Sequence, residues 1–396
     1  MWIAGHYILL TVALFATTAA TVFFVEVLAA VLWARKPNSW ENRSARRPQV
    51  AVLVPAHNES TGLEPTLTSI KSQLRPSDRL LVVADNCTDD TFSVAAALGA
   101  ETIAREDILQ RGKGYALDYG IGYLSNDPPE VVIVIDADCW LGDGAIDLLA
   151  SQCRAFARPI QALDLMKAPD GLLERYDFAE FAWRVKNWVR PLGLKALNLP
   201  CQLAGTGMAF PWEIIQTASV ASSAIVEDLK LGLEFTRAGK PPLFCPQASV
   251  VSFFPISVEA AETQRQRWEQ GHLSMIMRAV PRTALAALCE GNFALLVLCL
   301  DLAVPPIFSL ALVEISLLVI AMAAACLGLP RSTLYLMIAG VVVLSIALVL
   351  CWLVFGRDIL PIRRVLTVPG RVLEKLRLYR RIFLRSQTHW IRTDRN

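Results

Sequence analysis

The sequence predicts an α/β fold with a mostly parallel sheet, flanked by helices long enough to cross a membrane, on three observations. Short runs rich in Val, Ile and Leu at residues 50–55, 80–85, 131–136 and 248–253 alternate with helical stretches across residues 49–254, the pattern of strands joined by crossover helices. Successive runs end in polar residues, so several strand ends deliver chemistry to one edge of the sheet, where open α/β folds place their ligands. Finally, 54% of the 396 residues are hydrophobic, more than a soluble domain needs. The excess is concentrated at residues 7–33, 293–327 and 334–355, each able to span a hydrocarbon core of about 30 Å.

Residues 7–33 carry one acid, Glu26, and exceed the apolar region of about 7–15 residues found in a signal peptide, with no basic segment before them. They read as an uncleaved anchor. The first strand leads into Ala56-His57-Asn58-Glu59, and the helix at 60–73 that follows has Ser60 or Thr61 as its N-cap. The second strand ends in Asp85-Asn86-Cys87-Thr88-Asp89-Asp90. Arg111-Gly112-Lys113-Gly114 opens a helix over 115–124, where backbone N–H groups and the Lys113 charge can meet an anion; an ordinary glycine turn is the alternative. The continuous apolar run at 131–136 suits a strand buried on both faces. It ends in Asp136-Ala137-Asp138, whose carboxylates at i and i+2 point the same way. Such hard oxygen donors suit Mg²⁺ or Mn²⁺ carrying substrate phosphates, although acids also end buried strands as solvated loop starts.

Residues 174–199 interleave Phe178, Phe181, Trp183, Trp188 and Val189 with Arg175, Arg184, Lys186, Arg190 and Lys195. This mixture suits a bilayer interface, and packing against the globular domain accounts for the aromatics equally well. Pro305-Pro306 interrupts the stretch at 293–327, and residues 371–385 form a second basic amphipathic run suited to a membrane surface. Glu26, Asp301 and Glu314 are the acids inside apolar segments; no basic partner accompanies them there, and they receive no role.

Arg35, Lys36, Arg43, Arg46 and Arg47 follow the first apolar stretch, Arg357, Arg363, Arg364 and Arg371 follow the last, and residues 1–6 have no Lys or Arg. The bias predicts a multi-pass protein of the cell membrane, the inner membrane in a bacterium, with the central region and C-terminus in the cytosol. The nine cysteines lack paired spacing, as in a reducing compartment. A net charge of +2 gives no sign of nucleic acid; the basic clusters beside the apolar stretches point to membrane lipids.

Two further motifs follow. Glu227-Asp228 precede Leu229-Lys230-Leu231, as acids do in a first helical turn. Gln264, Arg267 and Trp268, at i, i+3 and i+4, share one helix face, where the Arg can clamp phosphate and the Trp can stack on a sugar or simply be buried. Together with Pro55-Ala56-His57-Asn58-Glu59, Asp85, Arg111-Gly112-Lys113-Gly114, Asp136-Ala137-Asp138 and Gly205-Thr206-Gly207, they resemble the inverting family 2 glycosyltransferases over residues 49–272. Cellulose, chitin and hyaluronan synthases and membrane glucosyltransferases belong to that group.

The resemblance implies a GT-A fold and a nucleotide-sugar donor, most often a UDP-sugar. It places Ala56, His57, Glu59, Asp85, Lys113, Asp136 and Arg267 on the donor, and Asp138 on a divalent cation, Mg²⁺ or Mn²⁺. Gly205, Thr206, Gly207, Gln264 and Trp268 fall on the acceptor side, and Glu227 and Asp228 are the catalytic pair with Asp228 as general base. The implied organisation is an anchor at 1–34, a GT-A domain at 48–256, amphipathic interface helices at 257–290, two transmembrane helices at 291–356 and a basic tail at 357–396. Val226 stands where many polysaccharide synthases have Thr, and His57 where many have an aromatic residue.

About three spans leave little wall for a polymer channel, so the expected reaction is transfer of a sugar to a membrane-embedded acceptor. A polyprenyl-diphosphate-linked saccharide in exopolysaccharide assembly, alongside assembly partners, comes first, and a glycolipid second. A processive β-glycan synthase is the enzymatic alternative, and a catalytically silent sugar-nucleotide-binding scaffold is the alternative of another class.

Overall fold

The computed structural model describes residues 2–34, 46–222 and 226–367. Arg35, Lys36, Arg43 and the basic run at 371–385 lie outside them. The chain forms two compact units, one from described residues 46–169 and 199–268, the other from 2–34, 170–198 and 269–367.

The first unit is built on one eight-stranded sheet. Its strands are β1 (Val50–Ala56), β2 (Arg79–Asp85), β3 (Glu101–Arg105), β4 (Val131–Val134), β5 (Trp140–Leu141), β6 (Ile160–Lys167), β7 (Met208–Pro211) and β8 (Leu243–Phe253). They lie in the order β3-β2-β1-β4-β7-β6-β8-β5. The β3-β2-β1-β4 half is parallel; β7 then runs antiparallel to both β4 and β6, β6 and β8 are parallel, and β5 is antiparallel to β8. The expected sheet is therefore present, with a mixed second half. Every residue of β1 is buried, which is why its sequence is a continuous apolar run. Val50, Val52 and Val54 pack with Leu63, Leu67 and Ile70 on one face, Ala51 and Leu53 with Leu117, Ile121 and Leu124 on the other.

The helix expected at 60–73 begins later, at Leu63, with Gly62 as N-cap and no side-chain capping bond. Ser60 and Thr61 instead belong to a turn closed by Gly62 and Leu63 N–H groups on the Glu59 carbonyl, and the Ser60 N–H is held by Asp89. The helix expected over 115–124 starts two residues earlier, at Lys113 itself.

In the second unit, the helices at Gly5–Trp33, Ile307–Cys326 and Ser332–Phe355 are long and apolar enough to cross a membrane, by length and composition. The proline pair splits the expected 293–327 stretch into Phe293–Leu302 and Ile307–Cys326. Residues 173–196 are helical throughout, with a π-helical turn at Val185–Val189. Phe178 and Phe181 are buried, Phe178 meets Phe308, and Trp188 meets Phe355 edge-on, so these aromatics pack against the apolar helices and not the globular domain. Lys186 lies over the Trp183 ring.

Glu26 and Asp301 have a basic partner, and it comes from outside the apolar segments. Arg190 donates from Nε to Glu26 at 2.7 Å and from Nη2 to the Asp301 carbonyl at 2.6 Å, and it also pairs with the Asp301 carboxylate. This partner belongs to the interleaved 174–199 stretch. Gly193, three residues on, admits the Glu26 backbone: a Cβ there would lie 2.0 Å from the Glu26 carbonyl oxygen. Glu314 is buried beside Thr17 and Gly340.

Candidate active site

Because β1, β2 and β4 are parallel neighbours, their carboxyl ends open at one edge, and a cavity of about 190 Å³ lies there. Ala56, His57 and Glu59 enter from β1, Asp85 from β2, Asp136 and Asp138 from β4, and Lys113 from the start of its helix. Seven of the residues singled out from sequence thus line one cavity. His57 is fixed by a 2.7 Å contact from Nδ1 to the Asp85 carbonyl. Gly112, at φ 132°, takes a backbone conformation that side-chain-bearing residues avoid, and so turns the chain into the Lys113 helix.

Lys113 ties this cavity to the catalytic candidates. Its ammonium donates to the Gly205 carbonyl at 2.7 Å and pairs with Asp136. A Cβ on Gly205 would lie 3.4 Å from Asp228 Oδ2 and 3.5 Å from Lys113 Nζ, so the glycine leaves space that these two groups share. Burial lowers the Lys113 pKa, but Asp136, Glu227 and Asp228 together raise it above its ordinary value. Glu227 and Asp228 form the first turn of the helix Glu227–Arg237, and Asp228 Oδ1 accepts from the Leu229 N–H at 2.8 Å. The two acids thus stand in a first helical turn, as the sequence expects. Gly114 lets the Lys113 helix approach the segment before the pair: a Cβ would meet the Val220 carbonyl at 2.6 Å and that of Ser222 at 2.7 Å.

Burial, then the neighbouring Asp228 charge, push Glu227 up to about 8 against the opposing pull of Lys113. An acid whose folded pKa exceeds its unfolded value keeps its proton longer in the native state. The contribution of Glu227 to stability is then fully present below its unfolded value near 4.5 and is lost as pH rises toward 8. Thermal unfolding followed between pH 5 and 8 is expected to show this fall, and Glu227→Gln is expected to flatten it.

Ligand atoms of Asp136, Asp138 and Cys139 lie within 4.8 Å of one another. Burial, followed by the charges of Asp136 and Asp164, drives the Cys139 pKa well above that of an ordinary thiol, and its soft sulfur suits Mg²⁺ or Mn²⁺ less than the two carboxylates do. A hard oxygen pair at a cavity mouth fits Mn²⁺ or Mg²⁺. Of the two, Asp136 is also paired with the Lys113 ammonium.

Thr206 is buried, and its hydroxyl accepts from the Asp136 N–H at 3.1 Å. The room left by Gly207 is taken by Ala162 and Val250 side chains, within 2.8 Å of where its Cβ would stand. Gln264, Arg267 and Trp268 fall on the helix Val258–Ser274, with Gln264 buried and the other two half-buried. Burial lowers the Arg267 pKa and the Glu227 charge raises it, which sets this guanidinium in the field of Glu227.

Two contributors escaped the sequence reading. Gln161 in β6 accepts from the Ala204 N–H and donates to the Thr206 carbonyl, so it holds the 204–206 loop. Arg105, the last residue of β3, pairs with Asp85 at 2.7 Å. Their only sequence signal is a polar side chain inside or ending a strand.

The profile of the glycosyltransferase like family 2 matches residues 48–271, more than half of the chain. The Probable glycosyltransferase YdaM of Bacillus subtilis is 26% identical over 254 residues, 60% of this chain and 59% of its own length. The Uncharacterized glycosyltransferase Rv0539 of Mycobacterium tuberculosis is 34% identical over 103 residues, 26% of this chain and 43% of its own. The chain thus spans less than two thirds of the length of these relatives. Among solved structures, the mannosyltransferase PcManGT from Pyrobaculum calidifontis, in complex with GDP-Man and Mn²⁺, aligns with a TM-score of 0.52 at 17% identity, covering 84% of this chain and 98% of that one. The sheet order, the cavity at its parallel edge and the profile match lead to one assignment: this chain belongs to glycosyltransferase family 2 and carries that family's GT-A fold.

Proposed function

We propose that the protein is an inverting, metal-dependent transferase that moves a sugar from a nucleotide diphosphate sugar, a UDP-sugar first, to a membrane-embedded, polyprenyl-diphosphate-linked saccharide in exopolysaccharide assembly. The observation that carries this reading is the Lys113 ammonium, which joins Asp136 of the donor cavity to the Gly205 loop beside Asp228. Donor and catalytic candidates thereby form one centre. In it, Ala56, His57, Glu59 and Asp85 receive the nucleoside, and Asp136 and Lys113 orient the diphosphate. Asp228 accepts the proton of the acceptor hydroxyl, whose oxygen attacks the anomeric carbon while the bond to the diphosphate breaks. Asp138 would hold a divalent cation, which would supply positive charge against the charge growing on the leaving diphosphate. Arg267 adds a second positive charge, and Gly205, Thr206, Gln264 and Trp268 bound the acceptor side.

The three apolar helices and the basic residues beside them support residence in the cell membrane, with the transferase domain at 48–256 in the cytosol. That placement supports a lipid-linked acceptor.

Purified protein in detergent, given labelled UDP- and GDP-sugars, Mn²⁺ and a bacterial lipid extract, is expected to form a small organic-soluble labelled product. GDP-sugars belong in the panel because PcManGT holds GDP-Man. Chelation of the metal should abolish transfer and added Mn²⁺ restore it. A large polymer would replace this reading with processive synthesis, and the absence of transfer from every donor would favour the silent scaffold.

A further inference from the structure

The buried Arg105 guanidinium lies behind the donor cavity, and none of the roles above uses it. We infer that Arg105 is a positioning residue for nucleotide binding, locking the Asp85 carboxylate and the 107–110 turn into the geometry that receives the donor; this rests on the cavity being the nucleotide-sugar site. Asp85 and Arg105 are register partners on the adjacent parallel strands β2 and β3, so their side chains emerge together. Arg105 Nη1 donates to Asp85 Oδ1 at 2.7 Å and to the Gln110 carbonyl at 2.9 Å, and Nη2 faces Asp107 at 3.4 Å. Its guanidinium stacks over the Tyr115 ring, with 5.5 Å to the centroid.

Asn86 closes the arrangement. Its Nδ2 donates to Asp85 Oδ1 at 3.0 Å, and its Oδ1 accepts from the Asp107 N–H at 2.8 Å. Two donors on Oδ1 fix the rotamer of Asp85, which lines the cavity. Both members of the pair are buried, 9% exposed by side chain. Without Arg105, the buried Asp85 carboxylate would keep the Asn86 amide but lose its charged partner, and with it the contact that fixes its orientation. The same guanidinium holds the carbonyl of Gln110, next to the cavity residues Arg111, Gly112 and Lys113.

The test is calorimetric binding of UDP and GDP, with Mn²⁺, to the full-length protein in detergent, for wild type, Arg105→Met, Asp85→Asn and the double variant. Each single change is expected to weaken binding of the nucleotide that the wild type takes by at least tenfold. The double variant is expected to bind no more weakly than the worse single, because one residue acts through the other. KM for the donor should rise more than kcat falls. Arg105→Lys, which keeps the charge but not the fork, should bind at an intermediate affinity, and it replaces Arg105→Met if that variant does not fold. Wild-type affinity in a folded Arg105 variant, or losses that multiply in the double variant, would overturn the inference. A wild type that binds neither nucleotide would instead remove the nucleotide-sugar reading on which it rests.

Discussion

Asp228→Asn is expected to lower sugar transfer about 10³-fold while leaving nucleotide binding intact. The general base of such a reaction contributes 10²–10⁴-fold in rate, and Asn is close to isosteric with Asp but cannot accept the acceptor's proton. The Leu229 N–H, now held by Asp228 Oδ1, finds an equivalent oxygen in Asn, so the first turn of Glu227–Arg237 is preserved. Initial rates at saturating donor, with UDP or GDP binding measured in parallel, check the outcome. A variant that keeps more than a tenth of wild-type rate would assign the proton to another group. Loss of binding along with rate would mean that Asp228 shapes the donor cavity.

The second large effect falls outside the active site. Arg190→Met is expected to destabilise the protein by about 3–5 kcal/mol, the usual consequence of leaving buried charge without its partner. Arg190, Glu26 and Asp301 are 6%, 2% and 4% exposed, so water cannot replace the lost guanidinium. Neutralising both acids as well, in Arg190→Met with Glu26→Gln and Asp301→Asn, is expected to recover most of the loss, since a buried ionic group replaced as a whole often costs little. Thermal unfolding in detergent distinguishes the cases. Equal stability of Arg190→Met and wild type would show that the three groups are not the clamp their geometry describes.

The legible parts of this chain are those where burial or spacing imposes a pattern. β1, β2 and β4 are covered on both faces and appear as unbroken apolar runs. The edge strand β3 is mostly half-exposed, and Glu-Thr-Ile-Ala-Arg shows no run. β6 carries the buried Gln161 and Asp164 within its apolar residues, and β5 is two residues long. Among the site residues, Asp136, Asp138, Lys113, Glu227 and Asp228 stand out as short motifs, and their separate segments meet at Gly205. Arg105, Gln161 and Arg190 carry no local signature. Each takes its role from a partner distant in sequence, and only the fold supplies it.

The most direct test of the account is the anomeric configuration of the product, read by proton NMR after transfer from an α-linked nucleotide sugar. A β-linked product, absent with Asp228→Asn, is the expected result, because attack from the face opposite the diphosphate inverts the anomeric carbon. An α-linked product would contradict the account, since retention requires either a covalent intermediate or attack from the donor's own face.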